Sequence, residues 1–147
     1  MRYYIDCEFD GHNGALLSMA IVPETGASIH ISTKEIATDA WVKENVIPIM
    51  EQHQGSIDCV CETNYVGTII KKFLGGDDDI TIISDSPVDI YRFCRALSTG
   101  EDYEWAPSNF PKLKFEVHNV DCYPTTLKYA VQHNAWWDAM ALREKLT

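Results

Sequence analysis

Apolar and polar positions change period several times along the chain, and each change marks an element. Residues 2–9 alternate, with Tyr3, Ile5, Cys7 and Phe9 on one side and Arg2, Tyr4, Asp6 and Glu8 on the other. A period of two predicts a strand. Asp10 to Gly14 carries turn residues, and Ala15–Val22 is a second, apolar strand. Pro23 to Gly26 turns it back into a third strand near Ser28–Ser32, so the chain opens as a β-meander. The period then becomes helical. Thr38 or Asp39 caps a helix carrying Trp41, Val42, Val46 and Ile49, with Pro48 bending or ending it. A second helix runs from about Asn64 to Leu74, with Val66, Ile69, Ile70 and Phe73 on one face.

Ile80–Ile83 is continuously apolar, the pattern of a buried parallel strand. Ser86 and Pro87 read as the cap and first turn of a helix reaching about Leu97. Residues 98–114, with Gly100, Pro107 and Pro111, read as loop, Phe115–Val120 as a last strand and Asn134–Leu146 as a last helix. This order predicts an α/β domain with a mixed β-sheet flanked by helices. Its chemistry belongs where strand ends meet helix starts.

The length of 147 residues fits a single domain, residues 1–147, and 46% hydrophobic residues supply its core. No stretch approaches the run of about 20 apolar residues that spans a membrane, and charges near Met1 argue against a signal peptide. Five scattered cysteines (Cys7, Cys59, Cys61, Cys94 and Cys122) read as reduced, buried thiols of a cytoplasmic protein. Gly75 to Asp79 lacks the alternating ligands of a calcium loop and reads as a solvated turn. The formal net charge of −10 disfavours a protein that grips long nucleic acid through phosphates. It leaves room for an enzyme acting on short or terminal substrates, because bound metals reverse the local sign.

Three groups of residues carry candidate chemistry. Asp6 and Glu8 share one face of a strand, with Cα atoms about 6.5–7 Å apart. Two such carboxylates repel unless a cation lies between them; alone, they also fit the polar face of an edge strand. His133 and Asp138 are five apart, which on one continuous helix would separate them by about 140°. They converge if His133 precedes the helix and Asn134 caps it; alone, they also fit a surface histidine and a dipole-favoured acid. Asp85 and Asp89 follow the buried strand. Asp89 also completes a near capping box with Ser86, and Asp85 also fits a loop acid. All these acids fall at strand ends or first helical turns.

At these residues the chain resembles the DEDDh superfamily of 3′–5′ exonucleases, which have a ribonuclease H-like fold. The superfamily pattern is Asp-x-Glu on the first strand, an Asp on a central helix and a late His-x-x-x-x-Asp. It corresponds here to Asp6 and Glu8, then Asp89, then His133 and Asp138. A closer similarity is to the small bacterial ribonuclease AS-like exoribonucleases, associated with adenylate-containing RNA. It is carried by Met1 to Tyr4 with Asp6, Glu8 and Phe9, the Asp10–Gly11–His12 turn, Leu16-x-Ser18, Trp41–Val42, Val46-x-Pro48, and His133-x-Ala135-x-x-Asp138–Ala139.

The resemblance implies that Asp6, Glu8, Asp89 and Asp138 hold two Mg²⁺ or Mn²⁺ ions about 3.5–4 Å apart. It implies that neutral His133 is the general base on the attacking water and that nucleoside 5′-monophosphates are released from single-stranded RNA 3′ ends. It also implies a homodimer. Phe9 and one of Trp136 and Trp137 are candidates to pack on the terminal nucleotide. The tryptophans fall on different sides of their helix, so at most one is expected to be fully buried. Trp41 is expected in the core or an interface. Lys71, Lys72, Arg92, Arg95, Lys112 and Lys114 are the available phosphate contacts, most of them expected to be solvated surface. Two alternatives remain open: a DNA or short-oligonucleotide exonuclease, and a catalytically silent nucleic-acid-binding module of the same fold.

Overall fold

The computed structural model describes residues 1–107 and 112–147. Pro111, read above as part of a loop, lies outside the described residues. The described chain builds a six-stranded mixed sheet and four α-helices. The strands are β1 (Arg2–Phe9), β2 (Leu16–Pro23), β3 (Ile29–Thr33), β4 (Ile57–Cys61), β5 (Ile80–Ser84) and β6 (Leu113–Val117). They lie side by side in the order β4-β3-β2-β1-β5-β6. β1–β2 and β2–β3 pair antiparallel, as the meander predicts. β1–β5, β5–β6 and β3–β4 pair parallel.

The helices are α1 (Ala40–Asn45), α2 (Val66–Leu74), α3 (Pro87–Leu97) and α4 (Ala135–Leu146). Three caps are chemical. The Asp39 carboxylate accepts from Val42 N–H, the Ser86 hydroxyl from Val88 N–H and the Asn134 side-chain oxygen from Trp137 N–H. Each satisfies a backbone donor that a helix start leaves open. Pro48 ends the first helix as expected: α1 stops at Asn45 and continues as a single 3₁₀ turn over Ile47–Ile49.

Strand alternation divides the core into two layers. Tyr3, Ile5 and Cys7 of β1 pack with Val66, Ile70, Leu74, Phe93 and Leu97 of α2 and α3. On the other face, Tyr4, Ala20, Val22 and Ile83 pack against α4. Asp6 and Glu8 share the parity of Tyr4 and therefore stand on the α4 side. No helix among the described residues is long and apolar enough to cross a membrane.

Four expectations change. β4 is a strand the pattern did not reveal; as an edge strand it leaves Ile57 and Val60 exposed, so it carries no clear amphipathic signal. β6 begins at Leu113 because parallel pairing aligns Leu113 with Ile80. Trp136 and Trp137 are both buried, each only 5% exposed, because residues such as Val120, Tyr123, Leu127 and Val131 close over α4 from outside. The Gly75–Asp79 turn is solvated as expected, with Gly75, Gly76, Asp78 and Asp79 exposed, and it is anchored by Asp77 accepting from the Tyr3 hydroxyl and Asp79 pairing with Lys114 at 2.9 Å. All five cysteines are free, but only Cys7 and Cys122 are buried.

Candidate metal centre

The central parallel strands end where α3 and α4 begin. β1 delivers Asp6 and Glu8, and Asp85 follows the last residue of β5. Asp89 lies in the first turn of α3 and Asp138 in the first turn of α4. Two groups of carboxylates result, Asp6 with Asp85 and Asp89, and Asp6 with Glu8 and Asp138. In each, ligand oxygens lie within 4.8 Å of one another. Asp6 belongs to both groups. Asp85 and Asp89 both reach the cluster. Asp89 is the more buried, at 4% exposure.

The supporting bonds explain why these acids hold their places. Asp89 accepts from the Ser84 hydroxyl at 2.9 Å, and the Ser86 N–H donates to that same hydroxyl oxygen at 3.0 Å in place of the capping box with Asp89. Asp138 is gripped on both oxygens. The Tyr123 hydroxyl donates to Oδ1 at 2.7 Å, and the His133 backbone N–H donates to Oδ2 at 3.0 Å. Tyr123 carried no signal in the sequence, since its contact spans fifteen residues of irregular chain.

His133 sits in the lead-in before the Asn134 cap, as the spacing required, with a left-handed φ of 68°. Its imidazole meets the Trp41 ring edge-on, with centroids 5.1 Å apart. Trp41 is 53% exposed at this rim, not a core residue. The single-turn-and-a-half helix α1 buries Val42 and leaves Trp41 on its outer side.

Two proposed nucleotide contacts fall elsewhere. Phe9 has the parity of Cys7 and packs against the α2/α3 layer, with the Arg92 guanidinium 4.5 Å over its ring. Trp137 is enclosed in the α4 layer. Arg92 is likewise no free phosphate contact: it is buried and donates to the Gly14 carbonyl at 2.6 Å and the His12 carbonyl at 3.3 Å.

Burial dominates the electrostatics. It pushes Asp6 well above the usual carboxylate range, with the neighbouring charges of Asp89 and Asp138 adding to the effect. Burial also raises Glu8 to about 8 and Asp89 and Asp138 each to about 7. Asp85 is raised by burial as well. Asp6 Oδ2 is buried without a hydrogen-bond partner among the described residues. An orphaned carboxylate oxygen among like charges is what a divalent cation would satisfy, and an all-oxygen donor set suits Mg²⁺ or Mn²⁺. The residues present therefore fit a pair of such ions.

A stability prediction follows. Acids whose folded pKa is raised bind more protons in the native state than in the unfolded chain. Their contribution is fully present below the unfolded value of about 4 and is lost as pH rises through the folded values. In EDTA, Tm should fall between about pH 6.5 and 8.5, and saturating Mg²⁺ should raise Tm more at the upper pH. Scanning calorimetry checks this; a Tm indifferent to both pH and Mg²⁺ contradicts the electrostatic account.

No family model matches the chain, and no curated protein sequence matches it.

Proposed function

We propose that the chain is a metal-dependent 3′–5′ exoribonuclease with a ribonuclease H-like fold, releasing nucleoside 5′-monophosphates from single-stranded RNA. The observation that carries this reading is the convergence of four partly or fully buried carboxylates, Glu8, Asp85, Asp89 and Asp138, around Asp6, with the His133 backbone bonded to one of them. The sheet supports it too, with an antiparallel β3-β2-β1 meander continued by parallel β5 and β6.

Asp6, Glu8, Asp89 and Asp138 would hold two Mg²⁺ ions (or Mn²⁺), with Asp85 as an additional carboxylate. Bound there, such ions supply Lewis acidity and charge neutralisation at the scissile phosphate. The rest falls to side chains. The His133 imidazole takes the proton of the attacking water. The His133 backbone N–H bonds Asp138, and its ring packs edge-on against Trp41. Tyr123 steadies the other Asp138 oxygen. Trp41, exposed beside His133, replaces Phe9 and Trp137 as the surface on which a terminal base stacks. A homodimer and a cytoplasmic setting belong to the same proposal.

A silent binding module gains nothing from this arrangement, because buried acids without metals repel phosphate. RNA and DNA homopolymers assayed side by side, with Mg²⁺ and with EDTA, test the reading. Mononucleotide release from RNA that stops in EDTA is expected. Equal or faster release from DNA moves the assignment to a DNA exonuclease, and no release from either polymer overturns catalysis.

A further inference from the structure

A second ligand cluster lies on the α4 side of the sheet, away from the carboxylates. His30 of β3, Asp58 of β4, and Glu51 and His53 of the segment between α1 and β4 bring one donor atom each within 4.8 Å of one another. Strand register builds half of it, since His30 and Asp58 are direct cross-strand partners. The same row continues through Ala20 to Asp6. Three strand spacings separate Asp58 from Asp6 along that row, about 14 Å.

The separations within this cluster are unlike hydrogen bonds. His30 Nδ1 lies 3.7 Å from Asp58 Oδ1, and His53 Nε2 lies 3.5 Å from the same oxygen. His53 Nε2 is 3.8 Å from Glu51 Oε2. Hydrogen bonds would draw such atoms to about 2.7–3.2 Å. Donors around a tetrahedral ion with bonds of about 2.0–2.1 Å stand ~3.3 Å apart, close to what is found. His30 is fully buried, at 0% exposure, yet neither of its ring nitrogens has a hydrogen-bond partner among the described residues. A buried imidazole with both nitrogens orphaned is costly unless something satisfies it.

The outer contacts aim the other ligands inward. Ser56 Oγ is 2.7 Å from His53 Nδ1, which leaves Nε2 facing the cluster. Ser32 donates to Glu51 Oε1 at 3.0 Å, which leaves Oε2 facing it. Such contacts are how proteins orient metal-bound imidazoles and carboxylates.

We infer that His30, Glu51, His53 and Asp58 form a four-ligand site for a zinc-class divalent transition ion, separate from the acidic cluster. Two imidazoles and two carboxylates favour Zn²⁺ over Mg²⁺ or Ca²⁺, and four protein ligands define a closed structural site. Its role is to pin the irregular segment ahead of β4. That segment also seats α4, because the Asn134 side-chain amide donates to the carbonyls of Ile49 at 2.8 Å and Met50 at 3.1 Å. The ion would thus steady the start of the helix that carries Asp138.

The test adds Zn²⁺ to the full chain in a large excess of Mg²⁺, removes unbound ion, and counts retained zinc. Co²⁺ in its place reports the geometry by visible absorption. Expected are one retained equivalent and the intense bands of a four-coordinate ion. Both should be lost in His53→Ala, weakened in Asp58→Asn, and kept in Asp6→Asn. The metal-free His53→Ala variant should unfold near the wild-type Tm, which separates a lost site from a lost fold. No retained zinc in the wild type, full retention in His53→Ala, or loss in Asp6→Asn instead would each overturn the site. None of these readouts uses exonuclease activity, so the two proposals fail independently.

Discussion

Asp6→Asn should lower the rate of mononucleotide release by about 10³-fold or more and, in EDTA, raise the protein's Tm. Both effects come from one side chain. Asp6 belongs to both carboxylate groups, so its loss removes the acid shared by the two proposed metal positions. The charge of the same acid is opposed by its surroundings, through burial and the charges of Asp89 and Asp138. Without metal it is a buried charge with an unpartnered oxygen, and neutralising it relieves repulsion throughout the cluster. Asp138→Asn should be similarly inactive but gain less stability. An amide can still accept from Tyr123, yet its nitrogen cannot accept from the His133 N–H. Steady-state assays with thermal melts check both variants. An active Asp6→Asn enzyme would sink the metal assignment, and a lower metal-free Tm would sink the view that the cluster is strained.

His133→Asn should reduce kcat by ~10²–10⁴-fold, with metal-induced stabilisation intact. Asparagine is the informative replacement because position 133 has a left-handed φ of 68°, which asparagine tolerates better than alanine. The backbone N–H that holds Asp138 is retained. What disappears is the ring nitrogen proposed to accept a proton. The pH dependence of kcat should therefore flatten relative to wild type, while Mg²⁺ still raises Tm. A His133→Asn enzyme with wild-type rate and pH profile would remove His133 from proton transfer.

Much of this was legible in the residues. Period-two alternation in β1, the apolar run of β5 and the caps at Asp39, Ser86 and Asn134 are local signals, and local signals survive folding. The same alternation places Asp6 and Glu8 on one face, and the Asn134 cap places His133 ahead of its helix. The failures involve contacts remote in sequence. Nothing near Trp137 announces that Val120, Tyr123 and Val131 will cover it. Arg92 looks like a surface cation until the β1–β2 turn supplies the Gly14 and His12 carbonyls. The short edge strand β4 exposes Ile57 and Val60, so its pattern resembles loop. Missing β4 also hid the pairing of Asp58 with His30, and with it the second ligand cluster.

Hydrolysis of the terminal phosphodiester at a 3′ end is the reaction proposed for the acidic cluster. Its most direct test is the first product from a single-stranded RNA labelled in its 3′-terminal nucleotide, incubated with the protein and Mg²⁺. The label should appear first as the nucleoside 5′-monophosphate, and neither EDTA-treated protein nor Asp6→Asn should produce it. Label released first in longer fragments, as a 3′-monophosphate, or equally with and without Mg²⁺ would contradict the proposal.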